Sequence, residues 1–187
     1  MALLDAAHDK TEEFLNSEGR SAGHIVLGAA ICVTAALVSA FIAFKRAPTD
    51  ANPEIEHEFD RLEKSELEPP KSAYAFLWPA LFSVMTLSAF RIWNAPSGPE
   101  RTRALSLWGG LQALNAVWMW LSPRQRLAQL IAAGSTFGIT LLYAKAAQRV
   151  DAKSGRLVAP YAGWVSFANL LNTELWRKNR PHGHTVH

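Results

Sequence analysis

Five stretches of this sequence carry no Asp, Glu, Lys or Arg: residues 25–44, 72–90, 104–123, 127–144 and 157–173. Each is close to the roughly 20 apolar residues that a helix needs to cross the hydrocarbon layer. Nothing constrains the fold more. In lipid every backbone amide must be satisfied within the protein, and helices do this segment by segment. The charges are gathered between the runs, so the mean hydropathy is only +0.01 although 49% of the residues are apolar. The pattern predicts an all-α, multi-pass integral membrane bundle of five transmembrane helices, spanning about residues 24–45, 72–93, 104–122, 126–146 and 158–177. A polar extension (1–23) precedes this domain (24–179), a long charged loop joins its first two helices, and a basic, His-bearing tail (180–187) follows it.

The charge balance limits the partners. A net charge of +3 is ordinary for loops that carry Arg and Lys, and no basic stripe with interleaved aromatics lies outside the spans. The expected partner is the lipid bilayer and not nucleic acid. Cys32 is the sole cysteine, so no intrachain disulfide forms. Residues 25–44 are no signal peptide, because acidic residues precede them and the run is long enough to span. Assigned to the two sides of five spans, the Lys and Arg residues number nine against ten. The positive-inside rule needs an asymmetry, so neither the orientation nor the membrane is indicated.

In chain order, Leu3, Leu4, Ala7 and Phe14 fit a short amphipathic helix. Gly28, Ala29, Ala36, Ser39 and Ala40 in the first span allow close helix approach. Residues 47–71 are rich in Glu. Ile55, Phe59 and Leu62 have helical spacing there, which fits an amphipathic helix or lid as well as a solvated linker. In the second span Tyr74, Trp78, Phe82 and Met85 share a face, Pro79 frees a backbone carbonyl, and Arg91 and Trp93 suit an exit zone of snorkelling cations and indoles. In the third, Trp108, Gln112, Asn115 and Trp118 lie on one side. Amides in such a position look into a bundle and away from lipid. The fourth reads as structural, with Tyr143 as an interface anchor and a basic loop from Lys145 to Arg156 after it.

The fifth run is opened by Pro160, where a missing N–H costs little. Tyr161, Trp164, Ala168 and Asn172 then share one helical face. Of the seven tryptophans, Trp93, Trp108, Trp120 and Trp176 lie near span ends, where an aromatic belt accounts for them. Trp78, Trp118 and Trp164 lie deeper. With Asn115 and Asn172 they fit either ordinary core packing or a cavity with flat apolar walls and a few polar handles. His182, His184 and His187 fit a flexible tail better than a metal site, and no hydrolytic or nucleophilic constellation is present.

The chain also resembles the TspO/MBR family of tryptophan-rich sensory and translocator (peripheral benzodiazepine receptor) proteins. The fifth-helix pattern of that family is met without a gap by Pro160, Tyr161, Trp164, Phe167, Ala168, Leu171, Asn172, Trp176, Arg177 and Asn179. Leu114, Asn115 and Trp118 match in the third helix, and Pro69, Pro70, Tyr74 and Trp78 match in the second, so the likeness covers roughly residues 59–179. The resemblance implies five transmembrane helices, a homodimer, and a pocket beneath the first loop that takes porphyrins, other tetrapyrroles or similar hydrophobic ligands. It implies no required cofactor or metal. Ligand-binding positions would be Tyr74, Trp78, Asn115, Trp118, Tyr161, Trp164, Ala168 and Asn172. The implied function is a receptor or sensor for tetrapyrroles. A transporter of porphyrin-like molecules is the alternative, and light-dependent porphyrin degradation through Trp78 and Trp164 is a further one. Two departures stand out. Glu66, Leu67 and Ser72 occupy positions where members carry tryptophan, and Thr173 replaces the aromatic of the sterol-recognition pattern.

Overall fold

A computed structural model describes residues 2–46, 52–121 and 125–179. They form eight helices and, among the described residues, no strand: α1 (Ala2–Leu15), α2 (Ala22–Arg46), α3 (Pro53–Asp60), α4 (Lys71–Asn94), α5 (Pro99–Trp120), α6 (Arg126–Val150), α7 (Ala152–Leu157) and α8 (Ala159–Lys178). The five long helices coincide with the five uncharged runs. Among the described residues, three stretches are long and apolar enough to cross a membrane: Ala22–Ile42, Phe76–Asn94 and Arg126–Val150. The helices α5 and α8 contain 22 and 20 residues, but their glycines, amides and indoles dilute their apolar character.

Helix α6 packs against both α5 and α8, while α2 packs against α4 and α5. Small residues make the first of these contacts close. Ala132, Ala133, Thr136, Thr140, Ala146 and Ala147 form the buried side of α6. Where lipid is as apolar as a leucine side chain, such close van der Waals fit between helices replaces the hydrophobic effect as the driving force. Helices α4 and α8 touch only sparingly.

The end of the bundle where α4 stops is tied by polar groups. Arg91 Nε donates to Asp151 Oδ2 at 2.8 Å, and the Arg91 guanidinium lies 4.3 Å from the centroid of the Phe14 ring. Arg91 is therefore a buried ion-pair partner and not the snorkelling cation its position suggested, because Asp151 supplies the counter-charge inside the protein. Asp151 also caps α7 by accepting from the backbone N–H groups of Lys153 and Ser154. The expected basic loop from Lys145 to Arg156 is consequently almost all helix, with α6 reaching Val150.

Tyr143 also departs from expectation. It is fully buried and sits 2.8 Å from Ser88 Oγ. Since Ser88 donates its only hydroxyl proton to the Ser154 carbonyl, Tyr143 is the donor to Ser88. Trp108 is likewise in the core and not at an interface, whereas Trp120 is exposed. The extension does form a helix, α1, which docks on this end. Asn94 Nδ2 donates to the Leu15 carbonyl, and Arg20 donates to the carbonyls of Asn94 and Ala95.

Candidate functional site

The sparse seam between α4 and α8 holds a cavity of about 150 Å³. Helix α4 contributes Tyr74 and Trp78, α5 contributes Trp118, and α8 contributes Trp164, Ala168, Leu171, Asn172 and Leu175. The loop after α3 closes one side with Ser65 and Glu68. The α8 residues recur at positions 164, 168, 171, 172 and 175, which is one face of a 3.6-residue helix. Its opposite side carries Leu170, 66% exposed.

The rings meet edge to face. Trp78 lies 6.0 Å from Trp164 and 6.1 Å from Trp118 between centroids, with interplanar angles of 85° and 66°. Tyr74 meets Trp164 at 5.7 Å and 76°. These are the separations and angles that aromatic quadrupoles favour, so the walls are set by the rings themselves. Phe82 stacks behind Trp78 at 5.4 Å and Phe167 packs on Trp164 at 5.6 Å. The indole N–H of Trp164 is buried and finds no acceptor among the described residues.

Six of the eight candidate residues therefore meet at one cavity: Tyr74, Trp78, Trp118, Trp164, Ala168 and Asn172. The other two do not line it. Tyr161 is fully buried and its hydroxyl donates to Asn115 Oδ1 at 2.7 Å, one helical turn deeper than Trp164 and Trp118. The pair forms a polar floor beneath the cavity. Asn172 Nδ2 donates back to the Ala168 carbonyl at 2.9 Å, and the neighbouring amide of Asn169 pins α8 to α6 through the Ala133 carbonyl at 3.0 Å.

The sequence reading missed Ser65, Glu68, Leu171 and Leu175 as lining residues. Leu175 extends the Trp164, Ala168, Asn172 face and was within reach of periodicity. The loop pair had no such signal. No group of three His, Cys, Asp or Glu side chains among the described residues is arranged to hold a metal. The histidines at 182, 184 and 187 lie outside the described residues. The aromatic walls suit a flat aromatic ligand. The volume does not suit one of porphyrin size without movement of a wall, since sites for drug-sized ligands enclose roughly 300–1,000 Å³.

Residues 28–177 match the TspO/MBR family. Among similar proteins is the Translocator protein of Sus scrofa, 32% identical over 128 residues that cover 66% of this chain and 76% of the relative. Protein CrtK of Rhodobacter capsulatus is 28% identical over 65% of this chain and 78% of its own length. The Tryptophan-rich sensory protein of Cereibacter sphaeroides is 27% identical over 77% of this chain and 92% of its own. The match takes in α4 to α8 almost whole, including every cavity residue named above, and the chain belongs to the TspO/MBR family of membrane proteins.

Proposed function

We propose that this protein is a five-span membrane receptor or sensor that binds a porphyrin or related tetrapyrrole in the aromatic cavity between α4, α5 and α8. The observation that carries the reading is the convergence of Trp78, Trp118, Trp164 and Tyr74 on one cavity. Flat ring faces offer stacking area to a macrocycle. Membrane crossing by α5 and α8 is supported by their outward residues. Val117, Trp120 and Leu170 are exposed there, as Leu27, Leu37, Phe41, Leu127 and Ile131 are on α2 and α6. An apolar exterior on all these helices suits lipid.

Binding is favoured over passage because the bundle is filled beneath the cavity. Asn115 and Tyr161 close its floor, and Tyr143 and Ser88 fill the next layers. Titration of the detergent-solubilised protein with protoporphyrin IX tests the reading. It predicts saturable quenching of tryptophan fluorescence with a Soret shift, and an affinity at least about tenfold weaker in Trp164→Ala, since one aromatic contact and its burial are worth a few kcal/mol. Quenching that never saturates would refute it.

A further inference from the structure

At the end of the bundle where α4 stops, the starts of α2 and α5 close around Trp93. The His24 ring stacks on the indole at 5.1 Å between centroids. Trp93 Nε1 donates to the His24 carbonyl at 3.0 Å, and His24 Nε2 donates to the Trp93 carbonyl at 3.0 Å. From α5 the Arg101 guanidinium lies 5.4 Å from the centroid of the same indole. Arg20, just before α2, donates from Nε to the Asn94 carbonyl at 2.9 Å and from Nη2 to the Ala95 carbonyl at 2.7 Å. Two half-buried guanidiniums are therefore fixed at Trp93 and the two residues that follow it.

No acid balances them. Burial lowers the Arg101 pKa, and the Arg20 charge lowers it further, so the two cations stand within repulsive reach of each other. Among the described residues neither has a carboxylate partner. Glu100, next to Arg101 in the chain, faces Arg149 at 4.0 Å, and Asp151 is taken by Arg91. Glu18, two residues before Arg20, is exposed. The bonds of Arg20 go to neutral carbonyls. Arg101 Nη1 donates to Ser97 Oγ at 3.1 Å, and its buried Nε has no acceptor. Charges withdrawn from water without a counter-charge are costly, and an anion shared by the two guanidiniums would offset that cost.

The surface beside the pair decides which anion. Val26 and Leu27, within two turns of Arg20, are 66% and 54% exposed and open the apolar exterior of α2. Cations and indoles at such a boundary lie at headgroup depth, and basic pockets between membrane helices take anionic headgroups. The planar fork of a guanidinium matches a phosphate with two parallel donors. We infer that Arg20 and Arg101 form, around Trp93, a site for the phosphate of an anionic phospholipid whose acyl chains lie along α2 past Val26 and Leu27. Arg20 precedes residue 28, where the family match begins, so the N-terminal extension supplies half of the charge. The site is independent of the aromatic cavity.

The test follows the thermal midpoint of the full chain in neutral detergent while dioleoylphosphatidylglycerol or dioleoylphosphatidylcholine is titrated into the micelles. The phosphatidylglycerol is expected to raise the midpoint by about 3 °C or more beyond the phosphatidylcholine at equal mole fraction. Arg101→Gln is expected to weaken its apparent affinity about tenfold. Arg101→Lys keeps the charge but loses the fork; it is expected to weaken affinity about threefold and serves where Arg101→Gln does not fold. Arg103→Gln removes an exposed charge two residues on and should leave affinity within about twofold. Equal midpoints with the two lipids, or an affinity that neither Arg101 substitution alters, would overturn the inference. So would an equal loss in Arg103→Gln, which would reduce the preference to overall charge. Inorganic phosphate without lipid should leave the midpoint in place, and a shift as large as that of the phosphatidylglycerol would make this a free-anion site and overturn the lipid assignment.

Discussion

The Tyr161 hydroxyl donates to Asn115 Oδ1 at 2.7 Å, and this bond joins α8 to α5 immediately beneath the cavity without either side chain lining it. Both residues are buried, and the Asn115 Nδ2 has no partner among the described residues. Removing the donor therefore leaves the amide oxygen unanswered as well. Tyr161→Phe is expected to cost about 1–3 kcal/mol of stability, read as a lower thermal midpoint in detergent. The porphyrin Kd should move by less than about threefold, because the rings that line the cavity keep their positions. A large loss of affinity at unchanged stability would instead make Tyr161 a ligand contact.

The ion pair at the other end of the bundle predicts a pH dependence. Burial alone would raise the Asp151 carboxyl, but hydrogen bonds from Arg91 and Ser154, with the Arg91 charge, outweigh it and hold the group well below the ordinary carboxylate range. A depressed folded-state value means that the stabilisation is fully present above the unfolded value, about 3.9. It is lost as pH falls through the lowered folded value. This pair should thus contribute a constant amount from pH 7 to about 5. Asp151→Asn strands the Arg91 guanidinium, whose side chain is 6% exposed, and should cost about 3 kcal/mol. For a chain of this size that is a fall of roughly 6–12 °C in the midpoint. An unchanged midpoint would show that Arg91 finds other compensation.

What could be read from the sequence was what a single helix determines. The 3.6-residue period places Trp164, Ala168 and Asn172 on one side of α8 whatever surrounds it, and the cavity wall follows. Tyr161 sits on that same face, yet it belongs to the floor. Which turn of a face meets a neighbour depends on how the helices cross, and spacing does not record this. Arg91 and Tyr143 were misplaced for a related reason: their partners Asp151 and Ser88 lie 60 and 55 residues away in the chain. A charge or hydroxyl near a span end reads as interfacial until its partner is known. The helical cap at Asp151 was a local signal, but it was hidden by the charge density around it.

Helix α2 approaches α4 through Gly28. A Cβ at that position would stand 2.2 Å from Trp93 Cδ1 and 2.5 Å from its Nε1. Both atoms belong to a ring fixed on either side. Trp93 Nε1 donates to the His24 carbonyl at 3.0 Å, and the His24 ring stacks on the indole at 5.1 Å. The ring has no easy retreat, so Gly28→Ala should cost about 1–3 kcal/mol through overpacking. The cost should shrink to under about 0.5 kcal/mol in a Trp93→Ala background, where the clashing atoms are gone. If the two substitutions prove additive in thermal unfolding, the clash is not the cause.

The cavity itself can be filled from one side. Ala168 is 6% exposed and lies on the wall between Trp164 and Asn172, so a larger side chain there has empty volume to enter. Ala133, fully buried on α6, has a backbone carbonyl accepting from Asn169 and packing on all sides. Ala168→Leu and Ala133→Leu add the same atoms at sites that differ only in available space. Ala133→Leu should destabilise by about 1–3 kcal/mol or more, whereas Ala168→Leu should leave the midpoint within a few degrees. The binding effects should be reversed, with Ala168→Leu weakening protoporphyrin IX by about tenfold or more and residual folded Ala133→Leu binding nearly normally. Porphyrin affinity that survives Ala168→Leu within threefold would place the ligand outside this cavity, since the added side chain projects from the wall between Trp164 and Asn172 that an occupant would touch.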